Sequence, residues 1–275
     1  MILEETYKLA IQNHKKGNLE IAKNLYYTVL EIDPIHLGAH NNLGAVYQVL
    51  GENKKAISYY EKVIEINPNY EKAYINLGSL TLQLGENKKA ISYYEKVIKI
   101  NPNNEKAYVD LAVLSHDLGE NKKAINYYEK LIEINFNNCV AHNNLGVIFA
   151  DLGKNEEAMA SFKKVIKINP EYQNAYNNIG LIFDKLGKTE EAMASFKKAI
   201  EINPDSVEAQ TNISHLYLGQ LDDLQKTVNS SYKVHKLKKK KLEFINQSIS
   251  LFKLKHDVQQ AQYLISKNYK IEGVN

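Results

Sequence analysis

Few side chains in this sequence stand where covalent chemistry needs them. Gly187-Lys188-Thr189 imitates the end of a phosphate-binding loop, but the template requires a glycine five residues before Gly187, and Ile182 is there. A helical pattern, not a strand, precedes it. No HExxH and no His-x-Asp pair is present, so zinc hydrolysis and iron oxygenation lack ligands. The eight histidines are scattered, and Cys139, the one cysteine, has no base beside it in sequence, so a structural thiol is expected. Asn212-Ile213-Ser214, Asn229-Ser230-Ser231 and Asn246-Gln247-Ser248 are glycosylation sequons that mean little without a secretory signal. The sequence therefore calls for no enzyme activity, no cofactor and no metal. Asparagine behaves differently. Asn42, Asn76, Asn144, Asn178 and Asn212 fall on one 34-residue spacing, with Asp110 filling the gap, and Asn41, Asn143 and Asn177 precede three of them. An amide that both donates and accepts can pair with the N–H and C=O of an extended peptide.

That spacing belongs to the whole chain. Gly51 to Gly78 reads GENKKAISYYEKVIEINPNYEKAYINLG, and Gly85 to Ala112 repeats it almost unchanged. The pattern returns at Gly119, Gly153 and Gly187, and a degenerate copy with Gly17, Ala22, Tyr26 and Pro34 comes first. Each copy holds two amphipathic helical stretches. Ala73, Tyr74, Leu77, Leu80 and Leu82 mark one, which Gly85 ends; Ala90, Ile91, Tyr94, Val97, Ile98 and Ile100 mark the next, which Asn101-Pro102 ends. Glycine at 44, 78, 146 and 180, and alanine at 56, 90, 124, 158 and 192, allow paired helices to approach closely. Neither helix can bury its apolar stripe alone, so the copies must stack.

These residues resemble the tetratricopeptide repeat family, whose motif Leu43-Gly44, Tyr47, Gly51, Ala56, Tyr60, Val63 and Pro68 match in the second copy. Phe136 replaces a closing proline, and Thr81 and Ser115 replace the motif tyrosine, which softens local packing. The resemblance implies an all-α fold, an α-α superhelix of helical hairpins over residues 1–219. Its units are expected at about 3–36, 37–70, 71–104, 105–138, 139–172 and 173–206, with a half unit from 207 whose helix ends near Leu218. It also implies that first helices line a concave face, with the asparagine row inward, similar to the peptide-binding groove of O-linked N-acetylglucosamine transferases. Hairpins about 10 Å apart would give one amide for every third residue of an extended ligand at about 3.3 Å per residue. Ile11, Ala45, Val113, Val147 and Leu181 would supply an apolar floor, and Asp110, Asp117, Asp151 and Asp184 an acidic stretch suited to a Lys or Arg of the ligand. The carboxylate clamp of co-chaperone arrays is not expected, since its positions here hold Tyr7, Ile11, Asn42, Lys72 and Asn76, and its cationic end groups are mostly missing.

Composition narrows the function classes further. All 35 basic side chains are lysine, against 32 acidic ones, and this near balance makes no global case for nucleic acid or membrane binding. Residues 222–275 carry eleven lysines against five acidic residues, a balance of +6, which leaves −3 on residues 1–221. The stretch 220–275 is expected to be a basic helical cap, with Leu242, Ile245, Ile249 and Phe252 as its stripe, or a linker to an enzyme. Lys236 and Lys238 to Lys241 offer a patch for nucleic acid or acidic lipid as the alternative. No run is long and apolar enough for a bilayer, and the acidic start does not read as a signal peptide, so a cytoplasmic chain is expected. The function that follows is a non-catalytic protein–protein interaction scaffold for extended polypeptides. The alternative is a substrate-recruiting module of a larger or neighbouring enzyme, of glycosyltransferase or 2-oxoglutarate oxygenase type.

Overall fold

The computed structural model describes residues 2–232, with side chains to residue 221. Among them every regular element is an α-helix, in hairpins: α1 (Ile2–Lys15) with α2 (Leu19–Ile32), α3 (Leu37–Val49) with α4 (Asn53–Ile66), α5 (Glu71–Gln83) with α6 (Asn87–Ile100), and α7 (Glu105–Asp117) with α8 (Asn121–Ile134). There follow α9 (Cys139–Asp151) with α10 (Asn155–Ile168), α11 (Gln173–Lys185) with α12 (Thr189–Ile202), and α13 (Val207–Tyr232). The fold class is all-α, as the sequence implies. None of these helices is long and apolar enough to cross a membrane.

Each first helix stops for a stereochemical reason. Gly51 sits at φ +75°, its N–H bonds to the Gln48 carbonyl, and the Glu52 N–H reaches back to the Tyr47 carbonyl at 2.8 Å. This double bond closes the last turn, and only glycine adopts that φ without cost. Its counterparts at 17, 85, 119, 153 and 187 all have φ between +69° and +79°. The next position in the series is Leu221, so nothing there turns the chain. Accordingly α13 does not end near Leu218; it runs on to Tyr232.

Second helices end on asparagine, except α2, which ends on Asp33. Asn67 Oδ1 accepts the Asn69 N–H, and the Tyr70 N–H bonds to the Asn67 carbonyl. With Phe136 in place of the closing proline the turn keeps its form, because Asn135 makes the same two bonds, to the N–H groups of Asn137 and Asn138. Proline only forbids continuation; the asparagine builds the turn.

The chain divides into two compact blocks, Met1–Ala141 and His142–Asn275. In the first, each helix from α1 to α8 packs on the next, and in the second α10 to α13 do the same. The core runs between helices: Ala22, Tyr26, Ala56, Tyr60, Leu77, Ala90, Val97 and Leu111 in the first block, Phe162, Ala192, Phe196 and Ala199 in the second, all within 1 % of complete burial. A Cβ on Gly78 would lie 2.8 Å from the Tyr94 ring, so the closeness of α5 and α6 depends on that glycine. The lysine patch at 236–241 and the stripe from Leu242 lie outside the described residues.

Candidate functional site

The asparagine row lies on the first helices, and the hairpin stacking sets its environment. Asn42, Asn76 and Asp110 in the first block, and Asn144, Asn178 and Asn212 in the second, are all half-buried. Their neighbours Asn41, Asn143 and Asn177 are buried, at 7 %, 7 % and 4 % exposure. Sequence reasoning missed the relation between the two rows. Asn76 Nδ2 donates to Asn41 Oδ1 at 3.0 Å, Asn178 Nδ2 to Asn143 Oδ1 at 3.3 Å, and Asn212 Nδ2 to Asn177 Oδ1 at 2.9 Å. The first asparagine of one repeat therefore buries its carbonyl against the second asparagine of the next. Each of these three outer amides commits one N–H to the lock and retains an acceptor oxygen and a second N–H, the complement of a peptide unit.

The outer row is not uniform, and the exceptions follow from the lock. Asp110 cannot donate, and the residue that would accept from it is Ile75. Asn144 accepts from Asn143 Nδ2 at 3.2 Å. Asn42 donates to the Tyr7 hydroxyl at 3.2 Å, which ties up an amide the carboxylate clamp would need. Asp110 is held by the Tyr94 hydroxyl. Burial pushes its carboxyl above the ordinary value, with Lys106 and the Tyr94 bond pulling the other way. Burial, and then the charge of Asp110, push the Tyr94 phenol up.

The remaining residues divide by block. Asp117 shares the face of α7 with Asp110, one heptad away, and is exposed. Asp151 and Asp184 are exposed in the second block, so the four acids form a pair in each block. Of the apolar floor, Val113 and Leu181 are exposed, while Ile11, Ala45 and Val147 are half-buried. His40 and His142 are buried, as packing residues should be. His40 Nε2 donates to the Pro34 carbonyl at 2.8 Å, which fixes the tautomer and leaves Nδ1 buried without a partner. Thr81, buried, turns its hydroxyl onto the Leu77 carbonyl at 2.6 Å, whereas the buried Ser115 hydroxyl finds no partner. A tyrosine cluster also escaped the sequence reading. The Tyr27 hydroxyl bonds to those of Tyr47 and Tyr59 at 2.6 and 3.0 Å, and Tyr47 stacks on Tyr59 with ring planes 9° apart. Burial pushes the phenols of Tyr47 and Tyr59 up. Cys139 is a free thiol of intermediate burial. Among the described residues no group of three His, Cys, Asp or Glu could hold a metal ion.

Comparison with known proteins supports the repeat fold of helical hairpins. Two profiles described as tetratricopeptide repeat match residues 38–70 with 174–206, and residues 71–104 with 105–138; one described as TPR repeat matches 146–187. No curated protein matches the chain. Among solved structures, a tetratricopeptide repeat protein from Parabacteroides merdae is 19% identical with a TM-score of 0.63, covering 90% of this chain and 98% of its own. YrrB, a TPR protein with an unusual peptide-binding site, is 24% identical with a TM-score of 0.56, over 67% of this chain and 95% of its own. MamA is 26% identical with a TM-score of 0.56, over 62% of this chain and 94% of its own.

Proposed function

The chain belongs to the tetratricopeptide repeat family, and on that premise we propose that it is a non-catalytic scaffold of the cytoplasm that holds extended polypeptide segments by their backbone. The amides of Asn76, Asn178 and Asn212 are the binding groups. One observation carries the reading: each of these amides is oriented by a bond to the preceding repeat, with its remaining donor and acceptor uncommitted among the described residues. A polar row held in place by buried partners loses little rotamer freedom on binding, so a backbone ladder gains from it. The peptide-binding site of YrrB supports the same class of ligand. Side-chain preference comes from Val113 and Leu181, which favour apolar residues, and from Asp110 with Asp117, which favour a lysine or arginine.

The lock makes the test selective. Alanine at Asn76, Asn178 and Asn212 removes both lock and ligand groups, whereas alanine at Asn41, Asn143 and Asn177 removes only the lock acceptors. Peptide arrays probed with both variants, matched by circular dichroism, separate the two effects. Capture lost in the first variant and mostly kept in the second is the expected result. Equal capture by native chain and first variant would show that the row is only a packing device.

A further inference from the structure

The turns between paired helices carry a charge reversal that the groove does not use. In the first block three of the four turns read Gly51-Glu52-Asn53-Lys54-Lys55, Gly85-Glu86-Asn87-Lys88-Lys89 and Gly119-Glu120-Asn121-Lys122-Lys123, while the first, Gly17-Asn18-Leu19-Glu20, lacks the lysines. In the second they read Gly153-Lys154-Asn155-Glu156-Glu157 and Gly187-Lys188-Thr189-Glu190-Glu191. Every charged position has changed sign, while the glycine that shapes the turn has stayed. These side chains are exposed. In the first block Glu52, Glu86 and Glu120 pair with Lys55, Lys89 and Lys123, and Lys54, Lys88 and Lys122 stay outside these pairs. In the second block Lys154 Nζ is 5.8 Å from the Phe149 ring centre and Lys188 Nζ is 5.9 Å from that of Phe183, much as Lys55 Nζ is 5.0 Å from that of Tyr47 in the first. One edge is thus left basic and the other acidic.

A row of leucines borders the charges on both. Leu50, Leu84 and Leu118 are 38 %, 42 % and 43 % exposed in the first block; Leu152 and Leu186 are 44 % and 49 % exposed in the second. Each immediately precedes its turn glycine, so apolar and charged rows share one spacing. An apolar row beside a charged one is the anatomy of a protein–protein contact, with sign complementarity setting the partner. The two rows are opposite in charge and share one repeat spacing, so a second copy of this chain is the partner they fit.

We propose that these edges are a self-association surface. The basic turn row of the first block of one copy docks on the acidic turn row of the second block of another, leucines against leucines. The proposal is independent of peptide binding on the first helices.

The test uses the full chain and two variants. The first, Lys54→Glu with Lys88→Glu and Lys122→Glu, makes both edges acidic. The second, Glu156→Lys with Glu190→Lys, makes both basic. Sedimentation velocity of the native chain should show species above the 31.4 kDa monomer, weakening about ten-fold from low to high salt. Each variant alone should sediment as monomer, and an equimolar mixture should recover the heavier species, which also shows that both variants fold. A native chain monomeric at about 100 µM in low salt would overturn the proposal. So would association that survives in both variants, which assigns it to another surface, or a mixture that stays monomeric.

Discussion

In the first block the second helix of each repeat presses a tyrosine onto the facing first helix, at Tyr26, Tyr60, Tyr94 and Tyr128; in the second block Phe162 and Phe196 stand there instead. All six rings are at most 2 % exposed. The ring face fills the space beside the small residue in both cases, but the hydroxyl adds an obligation, because a buried O–H without a partner is costly. Tyr26 meets it with His14 Nδ1 at 3.3 Å, and Tyr60 donates to Gln48 Oε1 at 3.0 Å. The position of His14 and Gln48 is Leu82 in the third repeat, which cannot serve, and Tyr94 turns to Asp110 of the following repeat. The second block has Ala150 at that position beside Phe162, and no hydroxyl to satisfy. In the third repeat the buried tyrosine oxygen thus lies beside an aspartate of the fourth, at a position where the other repeats after the first carry asparagine.

The largest effect that tests this comparison is removal of a ring. Phe162→Ala and Tyr94→Ala should each cost about 3–5 kcal/mol in chemical denaturation. Phe162→Tyr is the sharper version. It adds a buried hydroxyl where Ala150 offers nothing, and should cost about 1–3 kcal/mol. Adding Ala150→Gln transplants the Gln48 partner and should recover most of that loss. A double variant no more stable than Phe162→Tyr alone would show that the hydroxyl is not what distinguishes the blocks.

Next in size is the glycine beside the ring. Gly78→Ala sets a Cβ 2.8 Å from the Tyr94 ring and should cost about 1–3 kcal/mol. The fourth repeat already carries Ala112, fully buried, at the equivalent place. Ala112→Gly should therefore leave a small void and destabilise, the same sign from the opposite change. If Gly78→Ala is neutral, the two helix pairs share one spacing and the glycine is not needed for close approach.

How much of this was readable beforehand depends on which contacts obey the repeat period. The hairpins, turn glycines, alanines and rings all recur at 34 residues, so a single sequence displays them. At Phe136 the conspicuous proline is missing, but Asn135 closes the turn as asparagines of other copies do. The end of α13 was placed too early although its cause is visible, since Leu221 occupies the turn-glycine position. The asparagine locks were invisible for a different reason. They join residues 35 apart, one off the period, so aligning the copies puts the two partners in different columns. The tyrosine cluster needs three side chains from three helices and exists once, so no periodicity could announce it.

The lock yields the next smaller effect. Asn41→Ala leaves the Asn76 amide without its acceptor and should cost about 1 kcal/mol. Hydrogen exchange of α5 amides would report the change locally, as stacked repeats respond mainly through their neighbours. Protection in α5 that stays at the native level would mean that the bond is made at no gain over water.

The smallest effect is a pH dependence at Asp110. Its folded carboxyl is pushed above the ordinary value by burial, so within the window between unfolded and folded values the native state holds more protons than the unfolded chain. Stability then falls as pH rises through that window, and above it the buried charge is a standing cost. Asp110→Asn removes the charge, keeps an oxygen for the Tyr94 hydroxyl and should raise stability slightly at pH 7. The gain should shrink as acid protonates the native aspartate. Replacement by alanine separates the two contributions, because it removes the charge and abandons the hydroxyl together, and should destabilise at every pH. Denaturation of the three proteins at pH 4 and pH 7 decides the point. An Asp110→Asn gain that does not change between them would remove burial of charge as its cause and leave only the shape of the side chain.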